Sequence, residues 1–125
     1  MNLNQVTVPA ADVALSVKFY QKLGLKLIVD SIPRYARFEC VGGDSTFSIH
    51  HRENFVPNSD TVIYFECEDL DTKVAELKQT GIEFESDPID QTWLWREAYL
   101  KDPAGNLICL FYAGANRKNP PWRVK

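Results

Sequence analysis

The sequence predicts an α+β fold of two βαβββ modules, whose strands form a curved mixed sheet around a cleft. Three observations predict it. The chain repeats itself: Asp12 and Asp69 stand 57 residues apart, as do Gly24 and Gly81. The flanks follow, with Val6 and Val8 matching Ile63 and Phe65, and Leu25 and Leu27 matching Ile82 and Phe84. Each interval from acid to glycine carries apolar residues at helical spacing. The segments on either side alternate polar and apolar, the period of a half-buried strand. Two such units face each other naturally, and the seam is where a ligand would sit.

The elements follow in order. Residues 3–9 form a strand, with Val6 and Val8 against Gln5 and Thr7. Asp12 is an N-cap, since its carboxylate accepts orphan N–H groups of a first helical turn. Val13, Val17, Tyr20 and Phe19 make the inward stripe, and Gly24 closes the helix in a left-handed conformation. Residues 25–30 form a strand, followed by a turn at Ile32-Pro33. Residues 35–41 alternate Ala36, Phe38 and Cys40 with Arg37 and Glu39. Gly42-Gly43-Asp44 is hairpin chemistry, and residues 46–51 return with Phe47 and Ile49 on one face, Ser48 and His50 on the other. Residues 53–60 read as a linker.

The second module repeats the order. Residues 61–67 form a strand, and Asp69 caps a helix whose stripe is Leu70, Val74 and Leu77. Gly81 stops it. Residues 82–85 are expected as a short strand and 86–92 as a loop. Residues 95–101 and 106–112 are strands joined by the tight turn Asp102-Pro103-Ala104-Gly105. Asn119-Pro120-Pro121-Trp122 reads as extended and polyproline-like. The domain therefore spans residues 1–112, with modules at 3–52 and 60–112 and an extended basic tail at 113–125.

Composition bounds the function. A chain of 125 residues with 45% hydrophobic and 25% charged residues is an ordinary globular protein. A net charge of −3 argues against nucleic-acid binding by the bulk protein. The tail carries Arg117, Lys118, Arg123 and Lys125 with no acid, and reads as a solvated basic end. Three cysteines at unrelated spacings form no metal knuckle and fit free thiols in a reducing cytoplasm. No apolar run approaches membrane-spanning length, and residues 1–9 lack the pattern of a secretory leader, so the chain is expected to be cytoplasmic and unprocessed.

If one strand parity fills the core, the other lines the cleft. That parity is polar: Gln5, Thr7, Arg37, Glu39, Ser48, His50, Tyr64, Glu97 and Tyr99. Enclosing so many polar groups without partners is costly. A wet cleft that receives a ligand resolves the conflict; an open, solvated sheet face is the plain alternative. Trp93 and Trp95 can stack on a flat ligand or cover a dimer contact. Arg37 and Glu97 can hold opposite charges of a ligand or pair with each other. His50 and His51 are adjacent, so their rings point to opposite faces and cannot chelate one ion. His50 is a candidate acid or base, and Glu97 is the second catalytic candidate. Without a base nearby, Cys109 is a small liner rather than a nucleophile.

The paired order resembles the vicinal oxygen chelate superfamily of glyoxalase I, bleomycin-resistance proteins and extradiol dioxygenases. The residues that carry the resemblance are Asp12 through Phe19-Tyr20 to Leu23-Gly24, Phe65-Glu66-Cys67-Glu68-Asp69-Leu70, and Leu100-Lys101-Asp102-Pro103-Ala104-Gly105-Asn106-Leu107-Ile108. Trp95-Arg96-Glu97 leading into that turn is most similar to a bleomycin-resistance protein. In metal-dependent members the resemblance puts ligands at Gln5, Ser48, Val62 and Cys109. An amide oxygen can ligate, Val62 cannot, and Ser48 is a poor ligand for a divalent first-row metal. A displaced site would draw His50 in with Cys109 or Glu97. The expected protein is a cytoplasmic homodimer that binds a small organic molecule, with no cofactor, no metal, no nucleic acid and no membrane. The alternative is a metal-dependent lyase, isomerase or dioxygenase with a rearranged site, or a metal-free catalyst using His50 and Glu97.

Overall fold

A computed structural model describes residues 1–57 and 60–125. Residues 58 and 59 of the expected linker lie outside the described residues. The chain divides into two compact units. Among the described residues there are eight strands and two α-helices, in the order βαβββ twice.

The first unit contains β1 (Gln5–Ala10), α1 (Val13–Leu23), β2 (Lys26–Ser31), β3 (Tyr35–Glu39) and β4 (Thr46–His51). Its sheet runs β1-β4-β3-β2. The β1/β4 pair is parallel and the other two pairs are antiparallel. Asp12 caps α1 by accepting the Leu15 N–H at 3.0 Å. Gly24 ends it at φ 104° and donates to the Gln21 and Tyr20 carbonyls. Val13, Ser16, Val17, Tyr20 and Leu23 are buried, while Phe19 stays half-exposed. The Tyr20 ring sits 4.6 Å from Phe47 and 6.0 Å from Phe38, with Ala36 and Ile49 completing this core. Asp102–Asn106 belongs to this unit as well. The Asp102 carboxylate accepts the Tyr20 O–H at 2.6 Å, and the Asn106 side chain donates to the Pro9 carbonyl at 3.1 Å.

The second unit contains β5 (Val62–Glu66), α2 (Leu70–Gln79), β6 (Ile89–Asp90), β7 (Arg96–Lys101) and β8 (Leu107–Tyr112). Its sheet repeats the first, β5-β8-β7-β6, with β5/β8 parallel. Asp69 caps α2 through the Thr72 N–H at 3.2 Å and the Thr72 hydroxyl at 2.8 Å. Leu70, Val74 and Leu77 are its buried stripe, as the spacing predicts. Arg96 forks onto Asp71 of α2 at 2.8 and 3.1 Å and reaches Asp90 of β6 at 3.0 Å.

Three expectations are corrected. Leu3 is exposed, and the first strand begins at Gln5. The short strand expected at 82–85 is instead β6 at Ile89–Asp90, inside the expected loop. Glu85 and Ser86 do donate to the Tyr99 carbonyl, but the Ser86 hydroxyl takes the Tyr99 N–H at 3.0 Å. A side chain thus replaces the backbone carbonyl that a ladder needs. The tail is not extended throughout: Gly114–Arg117 is a 3-10 turn, and Arg123 donates to the Pro120 carbonyl at 3.0 Å. Pro121 supplies the φ that the second position of such a turn requires. β4 stands where it is expected, and the other strand limits move by at most two residues.

Candidate functional site

In the first unit, alternation puts Gln5 and Thr7 of β1, Ser48 and His50 of β4, and Tyr35, Arg37 and Glu39 of β3 on one face of the sheet. Register brings Thr7 beside Ser48, and Ser48 beside Arg37. Ser48 is fully buried. Its Oγ accepts the Gln5 side-chain N–H at 2.8 Å and shares a hydrogen with the Tyr35 hydroxyl at 2.7 Å. Gln5 also donates to the Thr7 hydroxyl at 3.1 Å and accepts from the Thr46 hydroxyl. Arg37 donates through Nε to the Tyr35 oxygen at 2.9 Å and lies 5.4 Å from that ring's centre. Burial raises the Tyr35 phenol, but the hydrogen bonds with Ser48 and Arg37 and the guanidinium charge outweigh it and hold the phenol below its ordinary range.

Glu39 pairs with Lys26 at 3.4 Å across exposed surface. His50 is half-buried opposite Tyr35. His51 is exposed and contacts Glu53 at 2.9 Å. Tyr35, which sequence reasoning used only as a strand start, is a centre of this network. It shares parity with Arg37 and Glu39, a signal that was available.

In the second unit, Trp95, Glu97 and Tyr99 share a face with Cys109 and Phe111 of β8 and Val62 and Tyr64 of β5. Register sets Glu97 between Ile89 and Phe111, and Tyr99 opposite Cys109. Trp95 stacks on Phe111 at 4.7 Å, and Tyr64 stands edge-on to both rings at 5.8 and 5.4 Å. Glu97 is only 2% exposed. Its two hydrogen bonds are long: Trp93 Nε1 at 3.4 Å and the Tyr99 hydroxyl at 3.3 Å. Burial, a hydrogen bond with Tyr64, and the charges of Cys109 and Glu97 raise the Tyr99 phenol. Burial, and then the Glu97 carboxylate, push the Cys109 thiol up to about 12. It is a thiol at neutral pH, which suits a liner and not a nucleophile. Arg37 and Glu97 each have partners within their own unit. Phe111 was missed by sequence reasoning, although it has the parity of Cys109.

The four positions that the resemblance assigns to a metal do not fit a divalent cation. Both ends of the Gln5 amide are engaged in hydrogen bonds, and Ser48 spends its hydroxyl on Gln5 and Tyr35. Val62 has no donor atom, and Cys109 alone is one good ligand where a stable site needs at least three. Among the described residues, no three His, Cys, Asp or Glu side chains gather at one point.

Comparison with known proteins agrees with the fold. A family model described as the Glyoxalase/Bleomycin resistance protein/Dioxygenase superfamily matches residues 2–110. A solved glyoxalase/bleomycin resistance protein/dioxygenase from Nocardioides is 25% identical, with a TM-score of 0.77 over 100% of this chain and 90% of that one. A lactoylglutathione lyase from Agrobacterium tumefaciens is 17% identical, with a TM-score of 0.73 over 89% and 92%. A bleomycin-binding protein solved in complex with bleomycin is 22% identical, with a TM-score of 0.71 over 90% and 98%. No curated protein sequence matches the chain. Among the described residues, no helix is long and apolar enough to cross a membrane.

Proposed function

The chain belongs to the Glyoxalase/Bleomycin resistance protein/Dioxygenase superfamily, and we propose that within it this protein binds a small organic molecule without a catalytic metal. The observation that carries the reading is the state of Gln5 and Ser48. They are hydrogen-bonded to each other at 2.8 Å, where a metal-dependent relative would need open lone pairs. The proposed contacts are Gln5, Thr7, Arg37, Glu39, Ser48 and His50 in the first unit, and Tyr64, Trp93, Trp95, Glu97, Tyr99 and Cys109 in the second. The solved bleomycin complex supports it to the extent that one protein of this fold holds an organic ligand.

Calorimetric titration with zinc, nickel and manganese ions tests the metal half. No stoichiometric tight binding is expected. A one-to-one site that vanishes in Gln5→Ala or His50→Ala overturns the reading and favours a metal-dependent lyase, isomerase or dioxygenase. A thermal-shift panel of small organic molecules tests the binding half. At least one chemical class should raise the melting temperature, and a panel with no effect refutes it.

The same proposal includes a homodimer in the cytoplasm. Trp122 and Val124 are exposed in the tail and would gain from an isologous contact. The three cysteines are free thiols, which suits a reducing compartment. Sedimentation at micromolar concentration that gives a 14.3 kDa monomer refutes the dimer.

A further inference from the structure

The Glu97 carboxylate is a buried acid whose surroundings do little to account for it. It is 2% exposed, yet both its hydrogen bonds exceed 3.2 Å. Neither donor is charged, and among the described residues no lysine, arginine or histidine forms an ion pair with it. A buried carboxylate normally has a counter-charge or short, strong donors. Here its neighbours are rings. Trp93 and Tyr99 reach it directly, Phe111 lies opposite it on β8, and Trp95 and Tyr64 extend the aromatic surface on the same face.

That surface is open. Tyr64 and Trp93 are each 44% exposed, a large apolar area for side chains packed around a buried charge. Trp93 is presented by a tight turn in which the Leu94 N–H donates to the Gln91 carbonyl at 3.0 Å. Leu94 holds φ at 68°, a left-handed conformation that disfavours a branched side chain. Non-glycine residues keep such a conformation when the surroundings impose it, and these places cluster at ligand sites.

An aromatic surface over a buried anion has one natural complement. Ring faces attract cations through their quadrupole, and the carboxylate supplies the net charge. An alkylated ammonium also brings methyl groups that bury against indole and phenol rings, with no N–H donors left unsatisfied. A neutral donor would add a hydrogen bond to Glu97 but no counter-charge, and an anionic group would be repelled by it.

We propose that Glu97, with the rings of Trp93, Trp95, Tyr64 and Tyr99, forms a binding site for a compact organic cation, a tertiary or quaternary ammonium group. The cation enters past Trp93, whose long hydrogen bond to Glu97 is the weakest link in the ring, and pairs with the carboxylate. The site rests on the small-molecule reading above and gives that ligand its chemical class.

The test uses the full chain with three probes: tetramethylammonium chloride, choline, and 3,3-dimethylbutan-1-ol, the neutral carbon isostere of choline. Calorimetry and tryptophan fluorescence read binding at low ionic strength, with sodium chloride as the control for salt. Choline and tetramethylammonium should bind saturably, and the isostere at least about tenfold more weakly. Glu97→Gln, shown folded by circular dichroism, should weaken choline by about tenfold or more. Trp93→Ala, at the exposed turn and likewise shown folded by circular dichroism, should weaken choline by about threefold. Equal binding of choline and its isostere overturns the proposal. So does wild-type affinity in both variants, or no saturable response to either cation. Where the cations fail but another class in the thermal-shift panel binds, this inference falls and the small-molecule reading stands. Where no class binds, both fall.

Discussion

Tyr20→Phe removes one oxygen from the first unit's core and leaves the ring in place. In the wild type that oxygen donates to Asp102 Oδ2 at 2.6 Å, with Tyr20 fully buried and Asp102 only 4% exposed. The phenol is held far above its ordinary range, first by burial and then by the Asp102 charge. A short buried bond to a carboxylate contributes about 1.5–3 kcal/mol. Asp102 keeps three other donors: Asn106 Nδ2 at 2.8 Å, Asn106 N–H at 2.8 Å and Ala104 N–H at 3.0 Å. Because the carboxylate is not orphaned, the lower half of that range applies, about 1.5–2 kcal/mol. In a chain of this size that lowers the melting temperature by roughly 5–9 °C. Asp102→Ala loses all four bonds and should cost about 3–5 kcal/mol, less than a simple sum because the bonds act as a unit. Urea denaturation of both variants and the double mutant closes a thermodynamic cycle. Adding Tyr20→Phe to Asp102→Ala should cost under about 0.5 kcal/mol more. A Tyr20→Phe loss below about 0.5 kcal/mol, or full additivity in the cycle, refutes the assignment of this bond as a principal support of the unit.

Ser16→Ala should raise stability by about 0.5–1.5 kcal/mol, because Ser16 is buried in α1 and its Oγ has no hydrogen-bond partner among the described residues; a lower melting temperature refutes this. Gly105→Ala should cost about 1–2 kcal/mol, since Gly105 holds φ at +90° and a new Cβ would meet two Pro57 carbons at 3.1 Å. Thermal melts of Gly105→Ala and Gly43→Ala make the comparison, as nothing lies within 4 Å of a Cβ at Gly43. The folded Cys109 thiol titrates near 12 against 9.0 for an unperturbed cysteine, so its contribution is complete below about pH 9 and is lost as pH rises toward 12. The stability gap between wild type and Cys109→Ala should therefore shift by about 1.4 kcal/mol against wild type between pH 8 and pH 10, and a gap independent of pH contradicts it.

Local signals wrote most of the fold into the sequence. Asp12 and Asp69 cap the helices through their own carboxylates, and Gly24 takes the left-handed angle that its position demands. The alternation of residues 46–51 and 35–39 separated Phe47, Ile49, Ala36 and Phe38 from Ser48 and Arg37, and the core follows that division. What was hidden depends on partners distant in sequence. The Ser86 hydroxyl interrupts the backbone ladder at Tyr99, so β6 forms later than its repeat counterpart, β2. Glu66 accepts the Ala113 and Gly114 N–H groups at 2.9 and 3.0 Å and approaches Arg117 at 3.9 Å. Part of the basic tail is thereby tied down by one acid on β5. Neither partnership leaves a periodic trace. The turn 102–106 was recognisable as a turn, but not the 82-residue reach from Asp102 to Tyr20.

The candidate site divides the same way, and the division bears on function. Reading the polar parity as an unsatisfied face led to a ligand, because buried polar groups need partners. In the first unit they find each other: Gln5, Thr7, Ser48, Tyr35 and Arg37 form a chain of bonds between 2.7 and 3.1 Å. Gln5, Thr7 and Arg37 of that network are exposed, Tyr35 is half-buried and Ser48 alone is fully buried. In the second unit the same parity places a single carboxylate among aromatic rings, with donors at 3.3 and 3.4 Å. The first repeat closes its polar face with short hydrogen bonds, and the second leaves the Glu97 carboxyl group with two long ones. Under the proposed function, substitutions in the second copy should change ligand binding more than those in the first, as a mutational scan read by calorimetry would check.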